Sequence, residues 1–178
     1  MKYCGMLTLL LALFLLAPVP GLTSEAHAAG KTIVTADPLI GYQETPLTIS
    51  STGSGTFRAE IDEDSSVISF ELTYQDLSST AIFAHIHFSI RAQTGSVIAF
   101  LCGGGGKPAC PAATADITGT ITAADILSVP SQGIPAGGFA DLVAAIRAGV
   151  TYVNVHTTNH PSGEIRGQVN NDNQREPR

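Results

Sequence analysis

The sequence predicts a mostly β protein, an antiparallel β-sandwich or flattened Greek-key barrel with one short helix late in the chain. Two observations indicate this class. Short segments that alternate apolar and polar residues with period two recur along the chain, and clusters of Gly, Pro, Asn, Asp and Ser separate them. One late segment repeats its apolar residues with the period of a helix instead.

The strand pattern is carried by residues 56–61, 67–74, 82–88, 96–101, 115–122, 151–155 and 164–169. The first two segments flank an acidic turn at 62–65, and the last two flank a turn at 159–163, so each pair is expected to form a hairpin. Many short strands with regular turns favour an immunoglobulin-like or superoxide-dismutase-like arrangement.

The remaining segments are assigned by their turn and helix signals. Residues 31–40 form a short lead-in in which Pro38 limits any strand, and residues 41–54 form a loop with room for an edge strand. Residues 122–125 begin a short helical turn that resembles a capping box. Residues 139–148 are predicted to form an amphipathic helix that covers the open end of the sandwich, with Gly149 as its C-terminal cap.

The first 28 residues have the features of a secretory signal peptide. Lys2 precedes an apolar run at residues 7–17, and a small-x-small pattern allows cleavage after Ala28 or Ala29. The run is shorter than the roughly 20 residues that a spanning helix needs, and no second long apolar run follows it. The mature protein is therefore expected to be secreted or periplasmic, without a membrane span. Residues 170–178 contain no apolar residue and are predicted to be a disordered tail.

The mature chain keeps two cysteines, Cys102 and Cys110, because Cys4 leaves with the leader. An exported protein with an even number of cysteines is expected to pair them as a disulfide. A zinc site is the weaker alternative, since no second cysteine pair exists.

Charge and motifs exclude several classes of function. The formal net charge is −6 and no basic patch is present, so nucleic acid is not an expected partner. The GxSxG, GxGxxG and P-loop motifs of common enzyme classes are missing from the sequence.

Four of the five histidines lie in two short stretches of the mature chain, where they are candidate metal ligands. His85 and His87 occupy alternate positions of one strand, which places both rings on one face with Cβ atoms about 6.5–7 Å apart. His156 is the expected third ligand, and Asn154 and Tyr152 share its face as supporting polar groups. Imidazole suits copper and zinc.

Two further residues are weaker candidates for the same site. His160 and Glu164 follow His156 closely enough to contribute ligands. The alternative is that the histidines are half-exposed and only hydrogen-bonded, and that Glu164 and Arg166 form a surface ion pair of small energetic value.

The histidine stretches also carry a family resemblance. The segments at 82–88, 95–102, 152–157 and 161–168 resemble the CHRD domain, which was first noted in chordin and is found in exported bacterial proteins. The resemblance covers residues 39–169, and residues 118–125 and 139–149 look like the bacterial form of the domain. It implies an extracytoplasmic β-rich domain, mostly without assigned biochemistry. The HxH strand and the later histidine are also loosely similar to the copper-ligand strand of copper/zinc superoxide dismutase.

Three hypotheses follow. The sequence favours an exported binding or interaction module for an unknown protein or extracellular ligand, with a copper or zinc ion held by His85, His87 and His156 as part of it. The second hypothesis is a purely structural domain of the cell envelope or extracellular space. The third, a superoxide-dismutase-like copper redox protein, ranks last because the acidic chain offers no positive patch to steer an anionic substrate.

Overall fold

The computed structural model describes Met1 and residues 31–171. The predicted signal peptide, apart from Met1, and residues 172–178 of the predicted tail lie outside these residues. Among the described residues, no helix has the length and apolar character needed to cross a membrane.

Within residues 31–171, the fold consists of nine strands and one α-helix. The strands are β1 Thr32–Ile40, β2 Ser54–Asp62, β3 Val67–Gln75, β4 Ala81–Phe88, β5 Ser96–Cys102, β6 Ala115–Ile121, β7 Thr151–Thr157, β8 Ile165–Gln168 and β9 Asn170–Asn171. The helix, α1, is Phe139–Arg147, and short 3₁₀ helices lie at Gly41–Gln43, Ala123–Asp125 and Pro130–Gln132.

The strands form one antiparallel sheet that curves into a nearly closed barrel, which confirms the predicted class. Their order is β5-β4-β7-β8-β1-β2-β3-β6, with β9 paired to β1. Both predicted hairpins, β2–β3 and β7–β8, are present. The pairing that matters for the site is β4 with β7, because it brings residues 81–88 beside residues 151–157.

The core lies on the inner face of this sheet. Alternate residues of β2 and β3 are buried, as period two requires, and Ile86 of β4 lies opposite Val153 of β7 with both side chains fully buried. The side chains of β4 and β7 that alternate with these core residues therefore lie on the outer face. They include all three candidate histidine ligands.

The lead-in prediction was wrong in one respect, since residues 32–40 form a full strand. β1 pairs with β2 on one side and with β8 and β9 on the other. Its register with β2 breaks between Ala36 and Leu39, and Pro38 lies in this break. A proline lacks the N–H that a ladder needs, so a break of this kind is where a strand can accommodate it. In the tail, Asn170 and Asn171 pair with β1.

The loop predicted at 41–54 and the helix predicted late in the chain match the structure in part. The loop predicted at 41–54 consists of the 3₁₀ helix Gly41–Gln43 and irregular chain up to Ser54, and the edge strand for which it had room does not form there. The late helix is confirmed, and it contributes Leu142, Val143 and Ile146 to the core. Gly149 follows it with a φ of 69°, the left-handed conformation expected of a glycine cap.

Cys102 and Cys110 form the predicted disulfide, across a loop with a sequence separation of 8. A short loop of this size is expected to contribute about 2–3 kcal/mol by restricting the unfolded chain. Replacing both cysteines by alanine should therefore lower the free energy of unfolding in urea by about this amount. A reducing agent should destabilise the wild-type protein and leave the double variant unchanged; equal sensitivity of both proteins would contradict the assignment.

Candidate metal centre

The register of β4 against β7 assembles the three candidate histidines. His85 lies opposite Asn154, His87 lies opposite Tyr152, and His156 lies opposite Phe83. All of these side chains belong to the outer face, since the residues that alternate with them, such as Ile86 and Val153, are in the core. The His156 ring therefore lies diagonally across the strand pair from the His85 ring, although the two residues are 71 positions apart in the chain.

The three rings converge on one point. One nitrogen of each of His85, His87 and His156 lies within 4.8 Å of the others. His85 Nδ1 is 3.2 Å from His156 Nε2, and the centroids of these two rings are 4.8 Å apart. Each of the three residues is at most 8% exposed. The cluster is therefore a buried group of nitrogens with room for an ion to draw them together.

Hydrogen bonds to the backbone fix which nitrogen is bare on two of the rings. His87 Nδ1 donates to the Gly95 carbonyl at 3.0 Å, and His156 Nδ1 donates to the Pro161 carbonyl at 3.0 Å. Because a neutral imidazole carries one proton, the Nε2 atom of each ring then presents a lone pair. His87 Nε2 is buried and has no hydrogen-bond partner among the described residues. A ligand histidine that donates its other N–H to a carbonyl is the usual arrangement in metal sites.

The third ring, His85, is held by aromatic neighbours. Its ring packs edge-on against Phe100 at 4.5 Å and stacks with Phe83 at 5.7 Å. This packing leaves Nδ1 directed at His156 Nε2. Phe83 is partly exposed, so these two phenylalanines separate the cluster from solvent.

The surroundings keep all three rings neutral. Burial, followed by the neighbouring rings of His156 and His87, lowers the pKa of His85 to about 3. Burial lowers the pKa of His87 to about 4, although its hydrogen bond to Gly95 acts in the opposite direction. Burial also lowers the pKa of His156. Neutral imidazole is the form that binds a metal ion, so the cluster needs no deprotonation to accept one near neutral pH.

A second layer of buried polar residues lies beside the rings. Tyr152 stacks on His87 with ring centroids 4.5 Å apart, and Arg166 Cζ lies 3.4 Å above the centre of the Tyr152 ring. Glu44 is 3% exposed, and burial raises the pKa of its carboxyl to about 7 while the nearby charge of Arg166 lowers it. Sequence patterns indicated Tyr152 and Asn154 but not Glu44, which lies in a loop without periodicity.

The two weaker candidate ligands lie away from the cluster. Glu164 accepts hydrogen bonds from Ser51, Ser78 and Thr157. His160 lies in the β7–β8 turn, where its backbone N–H donates to Thr157 Oγ1, and it borders a separate cleft of about 250 Å³. Among the described residues, the grouped metal-ligating side chains are His85, His87 and His156 alone.

The expected surface ion pair between Glu164 and Arg166 is also absent from the described part of the chain. Both residues are buried, at 0% and 2% exposure, and each has different partners. The ion pairs found among the described residues involve Lys31, Lys107 and Arg147. The idea of a low-value surface pair was therefore wrong, and both residues have a structural role instead.

The cluster suits a copper or zinc ion chemically. Two nitrogens bound to one tetrahedral ion at about 2.0–2.1 Å lie roughly 3.3–3.4 Å apart. The distance of 3.2 Å between His85 Nδ1 and His156 Nε2 is close to this value, and the ligand nitrogens of all three rings lie within 4.8 Å of one another. Three neutral imidazoles are a donor set that both metals accept.

Comparisons with known proteins agree with the resemblance seen in the sequence. No curated protein and no solved structure matches the chain. The CHRD domain family matches residues 35–169, which begins slightly before the boundary of 39 expected from the sequence. This match covers most of the chain and includes every residue of the histidine cluster, so the protein belongs to the CHRD domain family.

Proposed function

We propose that this CHRD domain binds one copper or zinc ion through His85, His87 and His156 outside the cytoplasm. CHRD domains are extracellular-type interaction modules. The Cys102–Cys110 disulfide agrees with a location outside the cytoplasm, where such bonds persist. The metal ion adds a specific chemical function to this module.

The observation that carries the proposal is the direction of the bare nitrogens. Two buried rings donate their N–H to backbone carbonyls, and the lone pair of one of them, at His156 Nε2, lies 3.2 Å from Nδ1 of the third ring. A purely structural histidine would be expected to satisfy both of its nitrogens, because an unpaired buried polar atom costs about 1–3 kcal/mol. His87 Nε2 bears that cost unless a cation binds.

The experiment is a titration of the protein, purified without a polyhistidine tag, with Cu(II) and with Zn(II). Wild type is expected to bind one ion per chain. Alanine at His85, His87 or His156 should weaken binding at least about 100-fold, since even the loss of a supporting group around a metal costs 10–100-fold.

His160→Ala is the matched control. His160 belongs to the same sequence stretch as His156 but lies outside the cluster, so this variant should bind the ion as wild type does. Failure of wild type to bind either metal, or an equal loss in His160→Ala and His156→Ala, would refute the proposal. Circular dichroism of each variant confirms that a loss of binding is not a loss of the fold.

A further inference from the structure

Asn154 lies beside the cluster, in contact with the His156 ring. It is 3% exposed and is opposite His85 on β7. Its Oδ1 is 3.1 Å from His156 Nε2. The amide therefore faces the same point as the bare nitrogens.

The contact between Asn154 and His156 joins two acceptors. His156 Nδ1 carries the proton that it donates to Pro161, so Nε2 has none to give. An amide oxygen has only lone pairs to offer. Two lone pairs that face each other at 3.1 Å in a buried site repel each other unless a cation lies between them or the amide is reversed.

Glu44 opposes that reversal. The Asn154 side chain lies near the buried Glu44 carboxyl and interacts with it, and toward a carboxylate an amide presents its N–H rather than its oxygen. With Glu44 ionised, a reversed amide would set its oxygen against the carboxylate oxygens. Gly163 of the β7–β8 turn lies beside this carboxyl. A Cβ at that position would lie only 2.6 Å from Glu44 Oε1, so the glycine leaves space for the Glu44 side chain. The φ of Gly163 is 124°, a conformation that other residues rarely adopt.

The distances suit a fourth ligand. Measured from His156 Nε2, His85 Nδ1 is at 3.2 Å and Asn154 Oδ1 is at 3.1 Å. Both values are near the edge of roughly 3.3–3.4 Å expected between neighbouring ligands of a tetrahedral ion. Both atoms therefore lie at about the spacing from His156 Nε2 that a shared ion would require.

We propose that Asn154 Oδ1 is the fourth ligand of the metal ion, and that Glu44 is the positioning residue that holds the amide with its oxygen toward the ion. This inference rests on the proposed metal site and assigns its coordination. Four protein ligands close a site, whereas a catalytic metal keeps a position for water or substrate. A site closed by Asn154 holds its ion without turnover, which favours the binding module over the copper redox enzyme.

The test uses the Cu(II)-loaded protein with azide, a small anion that reaches copper only where the protein leaves a coordination position accessible. Wild type is expected to show no azide-to-copper charge-transfer band and no exchangeable water ligand in pulsed electron paramagnetic resonance. Asn154→Ala should gain both signals while it keeps one copper per chain. Asn159→Ala, which changes an exposed asparagine of the same hairpin, should behave as wild type.

The role of Glu44 is read from a pair of variants. Glu44→Leu leaves Asn154 in place but removes the acceptor of its N–H, so azide should gain access. Glu44→Gln keeps an acceptor oxygen and should restore exclusion. This rescue separates positioning from a general loss of stability.

Two results would overturn the inference while leaving the three-histidine site intact. One is azide or water bound to copper in the wild-type protein, a result that does not depend on whether any variant folds. The other is exclusion of azide that persists in Asn154→Ala. Failure of wild type to bind copper at all would instead refute the proposed function, so the two failures are distinguishable.

Discussion

The Glu164→Ala variant is expected to unfold with a free energy about 3–5 kcal/mol below that of wild type near neutral pH. The carboxylate is fully buried and accepts four hydrogen bonds, from Ser51 Oγ, Ser78 N, Ser78 Oγ and Thr157 Oγ1. Hydrogen bonds to a charged group contribute about 1.5–3 kcal/mol each. Of the donors, Thr157 is itself buried, so the variant would leave its hydroxyl without this partner. Urea denaturation followed by circular dichroism measures the loss.

The size of this effect comes from where the donors lie. Ser51 precedes β2, Ser78 lies between β3 and β4, and Thr157 ends β7. One side chain therefore joins three parts of the chain that are distant in sequence. Glu71→Ala, which removes an exposed glutamate from β3, is the matched control and should change stability by no more than about 0.5 kcal/mol. A similar small change in Glu164→Ala would show that the network contributes little.

The pH dependence of stability should change with the same residue. Burial by itself raises the pKa of Glu164, but the hydrogen bonds from Ser51, Thr157 and Ser78 together hold it below the ordinary value of 4.5. A group whose pKa is lower in the folded state stabilises the fold above its unfolded pKa, and this stabilisation is lost as the pH falls through the folded value. Wild type should therefore lose more stability than Glu164→Gln as the pH drops below about 4.5.

The class of fold and the histidine cluster could be predicted from the sequence because both depend on local periodicity. Alternation along β2, β3 and β4 identifies strands, and the same alternation puts His85 and His87 on one face. Their meeting with His156 depends on the pairing of β4 with β7, whose residues are about 70 positions apart. The sequence indicated His156 as a third ligand, but the strand pairing that brings it into contact could not be derived from the sequence.

Burial of the outer face could not be predicted, and it explains the error over Glu164 and Arg166. Period two places a residue on a face, but it does not show what covers that face. The cover here is formed by residues 41–49 and 89–95, a short 3₁₀ helix and irregular chain, which have no strand periodicity. Glu44 was missed for the same reason. Glu164 precedes β8, which begins at Ile165, so the alternation of that strand does not determine its direction.

The Arg166→Met variant is expected to lose about 3–5 kcal/mol of unfolding free energy, the usual result of removing one partner from a buried charged group. The guanidinium lies over Tyr152 and donates to Thr45 Oγ1 and to the Ile90 carbonyl. These bonds hold both covering segments onto the face that carries the histidines. Methionine keeps much of the volume but none of the donors, and it leaves the nearby Glu44 carboxyl without its compensating charge.

The same variant should also release metal faster, because the cover over the cluster is loosened. Amide hydrogen exchange in residues 89–95 should rise in Arg166→Met, and transfer of Zn(II) to a chelator should accelerate with it. Arg166→Lys keeps the charge but loses the planar fork that spans both segments, so it should fall between wild type and Arg166→Met. Arg91→Met, which changes an exposed arginine of the same loop, is the control. If both arginine variants released zinc at the wild-type rate, the covering segments would have no part in retaining the ion, and the stability of the fold and the retention of the metal would be independent properties of this domain.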